Sequence, residues 1–407
     1  MQGRRVAVTG MGVISPLGKD TAEFRAALHE GWSGIAEITA MDAGTLRCRM
    51  GGEVRGYDPF EHFSPRAELY LDRFAQFALV AAREAVRDAG VEWTPALRGR
   101  TAVVTGTSIG GQGTQDAGFR KLYGEGESRV HPFSLPRIMA NAGAGHIAME
   151  FGLTGPAFTL STACASGSHA IGHAYWLVRS GVAEAAVAGG SEAPFSLGNY
   201  RAWEALKALD PDACRPFSRN RRGTVLSEGG AMLFLEPLDA ALARGAAVHG
   251  EVIGFGMSAD AHHLTHPSAA GAAEAMRAAL RDGELVPEQV GYVNAHGTGT
   301  PVNDRTETAA IREAFGCHAS RLAVSSTKSM HGHGQGAGGA MEAVATLLAL
   351  RDGVLPPTIN FVEPDPECDL DVVPNRARAA DVEHALSNSF GFGGMNAVLA
   401  FRRHPAS

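Results

Sequence analysis

Phe158-Thr-Leu-Ser-Thr-Ala-Cys164-Ala-Ser-Gly-Ser-His-Ala-Ile-Gly172 joins a short strand pattern to a helix pattern at a single cysteine. Leu160 to Ala163 are small or apolar, and Ala165, Ser166, Gly167 and Ser168 are small enough to let another backbone come close. Cys164 therefore stands at a helix N-terminus, where unpaired amides and the positive dipole end favour a thiolate and predict a pKa below the ordinary ~8.5. A buried structural cysteine is the competing reading.

Around that junction the same succession of elements occurs twice. Thr101-Ala-Val-Val-Thr-Gly-Thr and Gly291-Tyr-Val-Asn-Ala-His-Gly-Thr both read as strands ending in glycine loops. Phe158 to Gly181, with strand, Ser-Thr-Ala-Cys turn and long helix, is mirrored by Leu322 to Gly353, with strand, Ser-Ser-Thr-Lys turn and long helix. Ala185 to Leu235 and Leu386 to Phe401 each end as strand, glycines, strand. Ahead of the first set, Val6 to Thr9 reads as a strand and Thr21 to His29 as a helix. Asp72 to Ala89 is a longer helix with Phe74, Phe77, Ala78, Ala81, Ala85 and Val86 on one face and Gly90 as its C-cap. Two similar βαβαβ halves, residues 1–250 and 251–407, whose strand-to-helix turns meet at one site form an α/β/α/β/α layered sandwich. The loop Gly106-Thr-Ser-Ile-Gly-Gly111 lacks the spacing and the following helix of a dinucleotide site, so no nucleotide is expected there.

This pseudo-symmetry supplies partners for Cys164. Asn294-Ala-His296-Gly-Thr-Gly-Thr300 places a histidine at a strand end, facing the crevice at the carboxyl ends of the sheet. Ser326-Thr-Lys328-Ser-Met-His331-Gly-His333 delivers a lysine and two more histidines. A cysteine with two separately presented imidazoles suits thioester formation followed by stabilisation of a thioester oxyanion. His331-Gly-His333 and His262-His263-Leu-Thr-His266 could also be metal ligands, but the Gly-rich loop offers no third ligand at fixed spacing, and metal is disfavoured for either cluster. Arg215, Arg219, Arg221 and Arg222 read as a solvated or salt-bridged loop.

Composition excludes other classes. The net charge of -7, with Arg and Glu evenly scattered, leaves no basic stripe for nucleic acid. Cys48, Cys164, Cys214, Cys317 and Cys368 are an odd set without CxxC spacing, against a disulfide framework or zinc ribbon and in keeping with a reducing cytoplasm. Met1 to Gly18 is too short and too Gly-rich for a signal-peptide core, and no apolar run reaches membrane-spanning length. A cytoplasmic protein is expected.

Nearly the whole chain, from Val6-Ala-Val-Thr-Gly-Met-Gly-Val to Ser387-Asn-Ser-Phe-Gly391-Phe-Gly-Gly-Met-Asn396, resembles the β-ketoacyl-[acyl carrier protein] synthases of the KAS I/II type, condensing enzymes of the thiolase superfamily. The resemblance rests on Ser-Thr-Ala-Cys-Ala-Ser-Gly, Asn-Ala-His-Gly-Thr-Gly-Thr-Pro, Ser-Thr-Lys-Ser-Met-x-Gly-His, Leu-Pro-Pro-Thr-Ile-Asn and Gly-Phe-Gly-Gly. It implies a thiolase-like fold with Cys164 as the acyl-accepting nucleophile. His296 and His333 would bind the malonyl thioester oxygen, and Lys328 would be their electrostatic partner. The backbone amides of Cys164 and Phe392 would form the oxyanion hole, with Phe392 as gatekeeper to an acyl tunnel near Ile109 and Met395. It further implies an acyl carrier protein as partner, a dimer and no soluble cofactor, with Asn294, Glu342, Ser387 and Asn388 resembling a monovalent cation site.

Departures concern pathway and partner. Pro65-Arg-Ala-Glu-Leu69-Tyr70 replaces several basic residues, Met395 replaces the usual threonine of the gatekeeper loop, and Gly334-Gln335 replaces an apolar pair. Leu71-Asp-Arg-Phe-Ala-Gln-Phe-Ala looks closer to ketosynthase subunits of type II polyketide systems, which pair with a chain-length-factor subunit. Arg66, Arg73, Arg137 and Arg215 are the cations expected to meet an acidic carrier, helped by Leu69 and Tyr70. A non-catalytic chain-length factor typically lacks the cysteine. A degradative thiolase needs a second cysteine near the C-terminus, and Gly391 to Asn396 contains none.

Overall fold

A computed structural model describes residues 3–405. Ten strands form one continuous sheet: β1 (Val6–Ile14), β2 (Thr101–Gly106), β3 (Ala157–Leu160), β4 (Ala185–Glu192), β5 (Gly229–Pro237), β6 (Gly250–Ala259), β7 (Val290–Asn294), β8 (Ala323–Ser325), β9 (His384–Gly391) and β10 (Met395–Arg402). From outer edge to seam the first half runs β3-β2-β4-β5-β1 and the second β8-β7-β9-β10-β6. In chain rank both are third, second, fourth, fifth, first. Strand directions match too, since β2 is parallel to β3 and β4 as β7 is to β8 and β9, and the remaining pairs are antiparallel. The halves join where β1 meets β6 through Val6↔Val252, Ala7↔Glu251 and Val8↔Gly250.

Helix α1 (Arg73–Ala89) covers β1, β5 and β4. Asp72 caps it by accepting from Phe74 N at 3.2 Å, and Gly90 ends it at φ +59. Helices α2 (Ser166–Arg179) and α5 (Gly338–Asp352) pack on each other and touch strands of both halves. Every residue of α5 from Gly338 to Leu350 is buried, as a helix between two β layers requires. On the other face α3 (Ala269–Asp282) covers β6 and β10 and packs on α4 (Pro301–Phe315). Five layers result, as the repeat predicts, and the outer helices dock in the same way. A Cβ on Gly12 would lie 2.0 Å from Ala81 O of α1, and one on Gly256 would lie 2.1 Å from Ala275 O of α3. Glycine is thus required in β1 and β6 for each helix to reach its sheet.

Three sequence expectations change. A helix, Gln112–Phe119, does follow the Gly106–Gly111 loop, with Asp72 accepting from Thr114 N and Thr114 Oγ1. The helix after Cys164 starts two residues later, at Ser166. Helices α3 and α4, for which no period was read, fill the outer layer of the second half. Among the described residues no helix is long and apolar enough to cross a membrane.

Candidate active site

β3 ends at Leu160, and the chain turns through Ala163 at φ +50 before α2 begins. This left-handed alanine costs about 1–2 kcal/mol. Ser166 holds the turn, its Oγ donating to Ala163 O at 2.6 Å and accepting from Thr162 N at 2.9 Å. Cys164 projects from this elbow and is 7% exposed. Across the pseudo-symmetric layer, β8 leads to the short helix Lys328–His331 and then, through Gly332, to His333. His333 Nε2 lies 3.1 Å from Cys164 Sγ. His296 follows the end of β7, its ring centroid 5.5 Å from that of His333 at 85°. The structure therefore brings Cys164, His296 and His333 to one pocket, Cys164 and His333 being 169 residues apart in the chain.

The electrostatics reverse one expectation. Burial pushes the Cys164 thiol up to about 11, and outweighs the Lys328 charge and the amide N–H groups of Phe392 and Cys164, which pull it down. The depressed pKa read from the helix terminus is thus overturned, because desolvation of a fully enclosed thiolate exceeds the gain from a dipole end. Burial also holds His296 and His333 well below the usual imidazole value, aided by the Lys328 charge, so both are neutral at pH 7. The resting site is a neutral thiol beside neutral imidazoles. Alkylation of Cys164 by iodoacetamide, followed by peptide mapping, is expected to accelerate with pH beyond 9 without levelling. A plateau by pH 7 would mean a stabilised thiolate.

Lys328 and Glu342 are both fully buried and paired, Lys328 Nζ to Glu342 Oε1. Removing either partner would strand the other charge, a penalty of about 3–5 kcal/mol. Burial pushes the Glu342 carboxyl up to about 7 against the pull of Lys328. His331 is satisfied at both nitrogens, by Gly332 O at 2.7 Å and Thr327 Oγ1 at 3.0 Å, and so has nothing left for chemistry or metal. His263 Nδ1 accepts from Thr265 N and His266 N at 3.1 and 3.2 Å, which uses that histidine cluster as a turn lock.

Gly391 brings the Phe392 loop against the elbow, where a Cβ would meet Thr162 O at 2.7 Å and Cys164 N at 3.3 Å. Gly393 and Gly394 hold positive φ, at +83° and +74°, and Gly393 N donates to Leu264 O at 2.7 Å. Ile109 lines a second cavity together with Cys164 and Phe392. Met395, expected near the tunnel, lines neither cavity and is 40% exposed: it pairs with Gly391 and Ala259 as the first residue of β10.

Three of the four oxygen-bearing residues grouped by resemblance, Asn294, Glu342 and Ser387, lie together, whereas Asn388, next along β9, points to the other face, where its Nδ2 donates to Glu307 Oε1 at 3.1 Å. Ser387 pairs with Asn294 across β9 and β7, and Asn294 Nδ2 lies 3.4 Å from Glu342 O. Asn294 Oδ1, Glu342 Oε2, Ser387 Oγ and Asn388 Oδ1 are all buried with no hydrogen-bond partner among the described residues. The orphaned oxygens of the three residues that lie together fit a hard monovalent cation better than a softer metal.

Sequence reading missed three residues here. Glu307 on α4 accepts from the backbone N–H of His296 and Gly297 at 2.8 and 2.7 Å and so fixes the His296 turn. Asp304, one turn earlier, accepts from Phe217 N and Gly299 N. Thr300 caps that helix ahead of Pro301, a start signal legible in the sequence. Trp203 stacks on Phe392 at 5.7 Å and 26°, and edges onto His333 at 6.4 Å. Among the expected docking cations, Arg73 is tied bidentately to buried Glu228 and lies over Tyr57 and Phe77, while Arg215 is paired with Asp210. Neither is free to meet a partner. Arg66 is exposed, beside Leu69 at 45% exposure, and Tyr70 packs on Phe133.

Comparison with known proteins agrees with this geometry. Residues 3–241 match the family model of the β-ketoacyl synthase N-terminal domain, and residues 249–362 that of its C-terminal domain. A 3-oxoacyl-[acyl-carrier-protein] synthase 2 from Synechocystis sp. is 45% identical over 412 residues, covering 99% of both chains. Among solved structures, the ishigamide ketosynthase/chain length factor superposes with TM-score 0.94 at 39% identity, over 99% of this chain and 100% of that one. A type II PKS ketosynthase, solved with its acyl-carrier protein and bound to the hexaketide, gives 0.91 at 32% identity over 99% and 100%.

Proposed function

Since this chain belongs to the β-ketoacyl synthase family of acyl-transferring condensing enzymes, which serve fatty-acid or polyketide elongation, we propose that it joins an acyl group on Cys164 to malonyl carried on an acyl carrier protein. The observation that carries this reading is the 3.1 Å approach of His333 Nε2 to Cys164 Sγ with His296 beside it. In the first stage Cys164 Sγ attacks the acyl thioester, its proton passes to the departing phosphopantetheine sulfur, and the carrier leaves as free thiol. The backbone amides of Cys164 and Phe392, which lie against the Cys164 sulfur, would donate to the oxyanion that forms beside it. In the second stage the malonyl C–C bond breaks and carbon dioxide departs with the carboxylate oxygens. The bonding pair remains as an enolate, whose oxygen receives N–H donation from His296 and His333. The enolate carbon then attacks the acyl–Cys164 carbonyl, and the C–S bond breaks. Sγ leaves as thiolate and takes a proton from solvent, and the product is a 3-oxoacyl carrier two carbons longer.

Each neutral imidazole carries one N–H, which placed at Nε2 donates to the enolate oxygen while no imidazolium proton is available to quench the carbanion. Burial keeps both imidazoles neutral, the Lys328 charge adds to that effect, and Lys328 is itself held by Glu342. No redox or prosthetic group takes part. A monovalent cation would be held by Asn294, Glu342 and Ser387 and would supply only charge balance among buried oxygens.

The partner is a carrier protein in the cytoplasm, and Arg66 and Arg137, with Leu69, are the expected docking residues left once Arg73 and Arg215 are engaged internally. Arg66→Glu is expected to raise KM for the carrier severalfold while kcat stays put, with the difference shrinking as salt rises. An effect on kcat that ignores salt would remove Arg66 from the interface. Edge strand β3 and the exposed Phe119, Tyr123, Val130, Phe133, Leu135 and Met139 nearby support a dimer along this side. The likeness to a ketosynthase/chain length factor favours a second reading, in which the partner is a chain-length-factor subunit and the product a specialised polyketide. Co-purification from the native host identifies that partner. Formation of one 3-oxoacyl carrier per carbon dioxide from acyl and malonyl carriers tests the reaction, and its absence for every acyl length from acetyl upward rejects it.

A further inference from the structure

The cavity that Ile109 lines shares Cys164, Trp203 and Phe392 with the histidine pocket, so a chain bound to Cys164 can extend into it. Polar side chains interrupt its mostly apolar wall. Ser108, Ser161, Asn199 and Gln335 line it alongside Ile109 and Ala163. Ser161 Oγ is engaged with Ser108 O at 3.2 Å, and Asn199 Nδ2 with Pro194 O at 2.8 Å. Gln335 differs from these. It is 2% exposed, its Oε1 lies 3.2 Å from Ser108 Oγ, and its Nε2 is buried with no hydrogen-bond partner among the described residues.

An unpaired buried amide is costly, and native proteins retain one where something else completes it. The backbone is also constrained here, because Gln335 sits at φ +47, a conformation glycine would adopt at less cost. The group behind it is built to hold it. Glu192, fully buried, accepts from Thr107 Oγ1 at 2.8 Å, Ser108 N at 2.7 Å and Gly336 N at 3.0 Å, as well as from Ser108 Oγ. It thereby ties Ser108 to the residue after Gln335. One end of the Gln335 amide stays on Ser108, and the other is left without a partner behind the wall of the cavity that Gln335 lines. An NH2 end there pairs with a carbonyl or hydroxyl oxygen. The amide oxygen, were the group turned over, pairs with a hydroxyl.

We propose that Gln335 makes the acyl cavity selective for chains that carry an oxygen function, carbonyl or hydroxyl, near the thioester, over saturated alkyl chains of the same length. This rests on Cys164 being the acylated residue. A saturated chain fills the space and leaves the amide unpaired, whereas an oxygenated one completes it, and a site built to hydrogen-bond a substrate rejects the analogue lacking the group.

The test loads a carrier protein with hexanoyl, 3-hydroxyhexanoyl or 3-oxohexanoyl and follows Cys164 acylation by intact mass. The wild-type protein is expected to take at least one oxygenated chain roughly tenfold faster than hexanoyl. A lead for 3-oxohexanoyl reports that the NH2 end is the one left to the chain, because a carbonyl only accepts whereas a hydroxyl pairs with either end. Gln335→Met, similar in length and without polar atoms able to replace the amide, should bring that ratio to within about twofold. Hexanoyl equalling or leading both oxygenated chains in the wild type overturns the inference without recourse to any variant, and so does an undiminished ratio in Gln335→Met. Acylation by none of the three overturns the Cys164 assignment and this inference with it.

Discussion

Cys164→Ala is expected to lose acyl transfer by at least about 10⁴-fold, because nothing else in the pocket can form the thioester. The elbow itself should survive. Its shape comes from the Ser166 hydroxyl, the backbone of Ala163 and the Gly391 contact, none of which uses the thiol. The lost burial of one small sulfur costs only about 1 kcal/mol. Intact mass after incubation with an acyl carrier should show the added acyl group on wild type alone. An acylated Cys164→Ala protein would place the nucleophile elsewhere.

The second large effect separates the two stages. His296→Ala and His333→Ala should each slow carbon dioxide release from the malonyl carrier by about 10²–10³-fold, the usual loss for one oxyanion donor. Acylation should suffer less in His296→Ala than in His333→Ala, since only His333 touches Cys164 Sγ, at 3.1 Å. Decarboxylation at the wild-type rate in either variant would remove that imidazole from the enolate site. Carbon dioxide release read separately from acyl loading distinguishes this account from a merely structural role for the histidines.

What the sequence made legible is what lies within one strand-turn-helix unit. Cys164, His296 and His333 each follow a strand end, and because the units repeat, their meeting at the carboxyl ends of one sheet could be anticipated. Terms set by the other layers could not. The dipole end at Ser166 is visible locally, but the burial that pushes Cys164 up to about 11 comes from layers distant in sequence. Arg73 reads as a free charge until Glu228, 155 residues on, is found beside it. Asp304 and Glu307 look like the solvent face of a polar helix, yet they are 0% and 1% exposed and hold the turns around His296. Trp203 lies on a short helix, Leu197–Ala205, whose only visible signals are local, while its partners Phe392 and His333 come from the other half.

Helix α4 shows why these omissions share a cause. Its first two turns bury Asn303, Asp304, Glu307 and Thr308, which support loops, and only its end joins the core through Ala310, Ile311, Ala314 and Phe315, so the apolar period is too short to mark it. The same holds for Gln335, which stands out as an oddity beside His333 but gains meaning only with Ser108 and Glu192 in place.

A single-turnover experiment joins both stages: acyl-Cys164 protein, freed of donor, is mixed with malonyl carrier, and the protein mass is followed alongside the product. The acyl mass on Cys164 is expected to disappear at the rate at which a 3-oxoacyl carrier two carbons longer and carbon dioxide appear. Product formation while the acyl group stays on Cys164 would contradict the account.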